Sequence, residues 1–210
     1  MGHVLEIDGP SWRTPLTGEP LRRVGNARLV RRRQRGYFHY EGTGGYRFYR
    51  ARGWMPVTRL ERRHGRSWRT WMVDDPLHWH GMRETVSDLP AGRILVAGLG
   101  LMLHHMAQEP RFTGITVCEI DADVVALIRP TMPEDARRAV VVDDFYRHIE
   151  AYGGDYDAVL WDLAVGTPAE TLCDFIRARA LCTAFMPGAP LVQFGIRRRK
   201  DTEVAACAQA

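Results

Sequence analysis

Lysine is almost missing from this chain: Lys200 is the single one among 29 basic residues. An arginine bias this strong reflects a GC-rich coding background more simply than selection for phosphate contacts. No hydrophobic run approaches the length needed to span a bilayer, so no membrane association is expected. The N-terminal MGHVLEIDGP lacks the basic-then-apolar order of a signal peptide, and a cytoplasmic protein is expected. Cysteine is scarce too. Cys118, Cys173, Cys182 and Cys207 form no CxxC pair and have no histidine at metal-ligand spacing. That argues against a zinc site or a disulfide framework and predicts reduced thiols. None of them lies at a glycine turn beside a histidine, so thiol-based covalent catalysis has no supporting pattern. Internal repeats and low-complexity tracts are absent.

What remains is a globular composition. The chain has 210 residues, enough for one α/β domain and a small appendage. Its charge is unevenly spread. Residues 1–73 carry 16 Arg against 5 acids, whereas residues 74–210 carry 13 basic residues against 20 acids. The front end therefore permits an anionic partner, nucleic acid included.

The most informative stretch is RILVAGLGLML at Arg93–Leu103, followed by ITVCEID at Ile115–Asp121. A β-prone run ends in Gly98-Leu99-Gly100, a helical pattern follows, and a second β-prone run ends in Glu119. Strand, glycine turn, helix, strand, acid is the arrangement of a nucleoside-binding βαβ unit. Glycines let the backbone approach a ligand, a helix start favours a negative group, and a carboxylate ending the second strand accepts both ribose hydroxyls. The third glycine of GxGxxG is Leu103 here. A dinucleotide needs a small residue at that place, so an adenosine-type cofactor without phosphates fits better than NAD or FAD.

Along the chain, the first 20 residues hold several turn formers and read as a loop-rich lead-in. Residues 1–73 form an Arg-rich β region with short strands at Ala27–Arg32, Tyr37–Tyr40, Tyr46–Arg50, Val57–Glu61 and Trp68–Val73. Turns are expected at Gly42–Gly45 and His64-Gly65. Residues 74–92 are a linker with a short helix around Arg83–Asp88. Residues 93–210 alternate strands (Ile94–Ala97, Ile115–Cys118, Ala139–Val142, Ala158–Trp161, Leu191–Phe194) with helices (Leu101–Gln108, Ala122–Arg129, Phe145–Tyr152, Ala169–Phe185). The expected fold class is α/β: a Rossmann-like, doubly wound, mostly parallel sheet behind a small antiparallel β domain.

From about residue 70 to 196 the chain resembles the class I S-adenosylmethionine-dependent methyltransferases, in the branch shaped like the polyamine aminopropyltransferases (spermidine synthases). VAGLGL at Val96–Leu101 is similar to the first cofactor motif, and VCEID at Val117–Asp121 to the strand with the ribose-binding acid. VVVDDFYRHI at Val140–Ile149 is similar to the segment whose acid meets the adenine amine. YDAVLWDL at Tyr156–Leu163 resembles the fourth-strand motif ending in a functional Asp. The run from Asp75 to Met82 falls in register with the family's DE-x-x-YHEM box.

This resemblance implies S-adenosyl-L-methionine as cofactor, held by Gly98, Leu99, Gly100, Glu119, Ile120, Asp143, Asp144, Phe145 and Asp162. Glu119 takes the ribose, Asp144 the adenine amine and Phe145 flanks the ring; alternatively, or in addition, Asp143 or Asp144 N-caps the following helix. Asp121 caps the next helix. Asp162, at the end of the fourth strand, holds the cofactor's ammonium or accepts a proton from the substrate, and His80 is its catalytic companion. His78, Trp79, His80 and Met82 either wall the sulfonium or pack the seam between the two parts. His104 and His105, adjacent on a helix, cannot pair on a metal, and one exposed and one packed ring is expected.

Departures from the family shape the reading of the reaction. The first motif lacks the family's acid, the segment Asp162–Gly166 lacks its second acid, and Pro76 and Gly81 replace the two glutamates of the box. A cationic polyamine needs such carboxylates, so methyl transfer to a small-molecule or peptide acceptor is the first expectation. Aminopropyl transfer, or another non-methylating use of the cofactor, is the second, and a non-catalytic cofactor- or nucleic-acid-binding protein the third. The D/N-P-P-Y/F segment of DNA amino-methyltransferases is absent after Asp162. A homodimer is a further possible state.

Overall fold

A computed structural model describes residues 4–42, 45–163 and 168–194, with side chains defined at 6–35, 50–163 and 171–194. The N-terminal sheet is built from β1 (Val4–Asp8), β2 (Arg23–Val24), β3 (Ala27–Gly42), β4 (Gly45–His64) and β5 (Ser67–Val73). Strand β4 is its spine: β3 pairs along one edge, while parallel β1 and antiparallel β5 share the other. The expected short strands are fused. Gly36 and Gly53 lie within the fused strands, and the chain passes the first as a β-bulge between Gln34 and Gly36. It passes the second with φ of 79° at Gly53, a left-handed conformation open to glycine. Gly42 pairs with Gly45, so the hairpin expected there forms, its tip lying outside the described residues. The loop-rich lead-in is corrected at β1, whose partner lies more than forty residues onward and leaves no local signal.

The linker is also more ordered than expected. Helix α1 spans Pro76–Ser87, starting seven residues before the predicted helix. Asp75 is its N-cap, accepting from the His78 amide, and Pro76 occupies the first turn. Both are standard helix-start signals.

The second sheet follows the alternation of the sequence. Strands β6 (Gly92–Ala97), β7 (Phe112–Glu119), β8 (Val140–Val142), β9 (Ala158–Trp161) and β10 (Leu191–Gln193) are all parallel, in the order β10-β9-β6-β7-β8. Helices α2 (Met102–Met106), α3 (Ala122–Ile128), α4 (Glu134–Arg137), α5 (Phe145–Tyr152) and α6 (Pro168–Phe185) connect them. The order turns back at β6, and the crevice beyond the carboxyl ends of β6 and β9 is the topological switch point where such sheets bind ligands.

Two hydrophobic clusters flank this sheet. One, with Leu95, Phe145, Ile149, Trp161 and Ala178, packs α5 and α6 on one face. The other joins Leu16, Ala27, Leu29, Leu60 and Met72 of the N-terminal part to Met82, Val86, Val124, Leu127 and Ile128. A single apolar core therefore runs through both sheets. Polar ties reinforce it. Arg62 of β4 pairs with Asp121 and lies over the Trp71 ring at 4.9 Å. The Asn26 amide donates to Asp123 at 2.8 Å. Asp74, fully buried, accepts from Thr14 Oγ1 and the Thr58 amide, both at 2.5 Å.

Trp79 and Met82 pack this seam. His104 is 3% exposed, and Trp79 stacks on His105 with ring centroids 4.1 Å apart, so neither imidazole is free in solvent, against the expectation of one exposed ring. Burial pushes both down to about 4. A folded-state pKa below the unfolded value near 6.5 gives stability that is complete above pH 6.5 and lost as pH falls to about 4. For His104 the loss amounts to about 3 kcal/mol. The His104→Leu variant should therefore show a shallower fall in Tm between pH 6.5 and 4 than the native chain; parallel curves would contradict this.

Cys118 and Cys182 are buried free thiols. Among the described residues, no helix is long and apolar enough to cross a membrane.

Candidate active site

The carboxyl ends of four parallel strands are stitched into one rim. The Gly98 amide donates to Cys118 O at 2.9 Å, the Asp162 amide to Ala97 O at 3.0 Å, and the Asp143 amide to Glu119 O at 3.2 Å. These bonds hold Gly98, Glu119, Asp143 and Asp162 side by side, as the sequence spacing implied.

Glu119 is 7% exposed, and both carboxylate oxygens are oriented by backbone: Oε2 accepts from the Leu99 amide at 3.1 Å and Oε1 from the Asp121 amide at 2.9 Å. Burial raises its pKa, opposed by those two hydrogen bonds. An oriented carboxylate with lone pairs to spare is what a ribose diol requires. Asp121 caps α3 by accepting from the Asp123 and Val124 amides, as expected.

Gly98 has φ of 90°, and a Cβ there would lie 2.7 Å from Asp162 O. A Cβ on Gly100 would lie 2.6 Å from Asp162 Oδ2. The glycine turn is thus needed for the Asp162 carboxyl to lie against it. Burial, then the negative charge of Glu119, pushes that carboxyl up to about 8. No cation contributes. Two acids converge on the crevice, and the space beside them is one that any other residue at 98 or 100 would fill.

The remaining candidates divide. Asp144 is the N-cap of α5, its Oδ1 accepting from the Tyr146 and Arg147 amides at 2.8 and 3.1 Å. Oδ2 has no donor among the described residues. Asp143 is engaged by Arg147 at 2.5 Å and by His148 Nδ1 at 3.0 Å, which together hold its carboxyl at about 2. Phe145 is 3% exposed and packs in the core, not beside Asp144 in the crevice. Ile120, by contrast, is 68% exposed where β7 ends, and Val142 is 56% exposed at the end of β8. These two apolar side chains lie next to Glu119 and Asp143 at the strand ends. Val142 escaped the sequence reading because a valine closing a strand looks like core.

On α1, successive residues face different ways. His80 lies near Trp12 of the N-terminal part, with ring centroids 5.8 Å apart. His78 faces Phe194, just past β10, at 6.2 Å, and its Nδ1 is 2.9 Å from Asp75 Oδ1. Phe194 is itself bound to the end of β9, its amide donating to Trp161 O at 3.1 Å. Of the two histidines read as candidates on this helix, the ring that contacts this sheet edge is that of His78.

The sequence profile of the spermine/spermidine synthase domain matches residues 82–193, from within α1 to the end of β10. The chain belongs to the spermine/spermidine synthase family. The match spans all four crevice segments and stops short of the N-terminal sheet. No curated protein and no solved structure matches the chain. The family is one of transferases, so this spermidine synthase-like chain is a transferase by kinship, and its crevice is built around two acids and two glycines.

Proposed function

We propose that this chain is an aminopropyltransferase-like enzyme that transfers an alkyl group from decarboxylated S-adenosylmethionine to an amine acceptor. The observation carrying this reading is the charge of the crevice. Asp162 is perturbed by a second carboxylate and by no cation. A donor tail bearing an ammonium and no carboxylate suits such a site, whereas the carboxylate of intact S-adenosylmethionine would meet two acids. When bound, the donor supplies an electrophilic carbon attached to a sulfonium.

The chain's own residues do the rest. Glu119 accepts the ribose hydroxyls, Gly98 and Gly100 leave room for the donor, Ile120 and Val142 cover the adenine faces, and Asp144 Oδ2 accepts from its amine. Asp162 takes the proton released by the attacking amine. In-line displacement at a sulfonium needs no enzyme nucleophile; alignment and exclusion of water supply the acceleration.

Methyl transfer is the second reading. It is favoured by Pro76, Gly81 and the uncharged Leu163–Gly166, which remove the carboxylates that hold a polyamine. Incubation with either donor and a diamine separates the two by the nucleoside released. Methylthioadenosine from the decarboxylated donor is the expected product. S-adenosylhomocysteine from the intact donor would overturn the proposal in favour of methylation. Nucleoside binding without turnover of either would make the chain a binding protein.

A further inference from the structure

Away from the crevice, the N-terminal sheet carries an open cavity of about 380 Å³ lined by Pro10, Arg13, Arg33, Trp54 and Pro56. It shares no residue with the donor site. Its floor follows from the register. Arg33 pairs with Pro56 across β3 and β4, so the two side chains stand together on one face. Trp54 lies two residues before Pro56 on that face, while Met55 and Val57 between and beyond them point inward and are buried. Gly53 lets the chain pass under Pro10, whose Cδ would lie 3.0 Å from a Cβ at that position.

Trp54 is 53% exposed, an unusual state for so large an apolar ring. Three guanidiniums surround it. Arg35 lies over the ring at 5.6 Å. Arg13 donates to the Pro10 and Trp12 carbonyls, both at 2.7 Å, which fixes it at the rim. Arg33 is exposed. None of the three pairs with a carboxylate among the described residues, although the same sheet pairs Arg28 and Arg52 with Glu61 and Glu6. Among the described residues the charge is therefore left uncompensated around an exposed aromatic face.

From this we infer a second binding site, for single-stranded nucleic acid, in which a base stacks on Trp54 and Arg13, Arg33 and Arg35 meet phosphates. A stacking platform inside an electropositive groove is the common physics of single-strand binding. Duplex DNA offers no free base to the tryptophan, and an acidic peptide would leave the ring face unused. The inference is independent of the donor chemistry.

The test is fluorescence anisotropy of a labelled twelve-nucleotide oligo-dT with the full chain. Three phosphate contacts on a single strand predict roughly 20-fold weaker binding at 200 than at 50 mM salt. Arg33→Ala should reduce this salt dependence to roughly sevenfold by removing one contact. Trp54→Ala should weaken binding about 5- to 150-fold while leaving the salt dependence unchanged. Both side chains are exposed, and an unchanged Tm confirms that each variant folds. Absence of binding at 50 mM salt, equal affinity for the duplex or for polyglutamate, or indifference to both substitutions would overturn the site.

Discussion

Asparagine in place of Asp162 is expected to lower kcat by about a hundredfold to ten-thousandfold, the range for loss of a positioned general base. An amine attacks only as its free base, and the carboxyl lying against Gly100 takes the proton. Because burial and Glu119 raise that carboxyl to about 8, the base form gains as pH rises, and the native rate should climb through that value. In Asp162→Asn the inflection near 8 disappears, leaving only the rise set by deprotonation of the acceptor amine itself. KM for the donor should change less than kcat if the proton role dominates. A variant that is slow but keeps the limb near pH 8 would remove Asp162 as the base.

The same residue has a stability consequence of opposite sign to that of His104. A carboxyl whose folded pKa exceeds its unfolded value holds an extra proton in the folded chain between about 4 and 8. Its contribution is present at low pH and lost as pH rises through about 8. Asp162→Asn escapes that loss, so it should melt higher than the native chain at pH 9.

Glu119→Gln is the second large effect. Weakening of methylthioadenosine binding by roughly 10- to 150-fold is expected in isothermal titration, equivalent to about 1.5–3 kcal/mol for hydrogen bonds to a charged group. This ligand keeps the ribose and adenine but lacks the tail, so the measurement isolates the nucleoside contacts from those of Asp162. The glutamine also turns an NH₂ towards either the Leu99 or the Asp121 amide, both donors. A folded variant with native affinity would remove Glu119 from the site.

The parallel sheet was legible because its strands are short apolar runs closed by glycine or acid, and strand Ala158–Trp161 and helix Phe145–Tyr152 are observed at the predicted bounds. Glu119 and Asp162 were legible for the same reason, each ending such a run. Helix α1 was missed in its first half although Asp75 and Pro76 signalled its start, because three aromatic and imidazole side chains invited a functional reading. Strand β1 carries no local signal, its pairing with β4 being a long-range event. Orientation was the least legible property. His78 and His80, two residues apart, differ by about 200° around the helix, and only packing decides which faces the sheet. The Arg62–Asp121 pair joins residues nearly sixty positions apart, and nothing in either neighbourhood foretells it.

That pair belongs to a seam with a consequence for how the chain can be divided. Leu16, Leu29, Leu60 and Met72 share their burial with Val86, Leu127 and Ile128. Cutting between the sheets would leave both fragments with raw greasy faces, so the catalytic half is no freestanding cassette that could be excised or grafted whole.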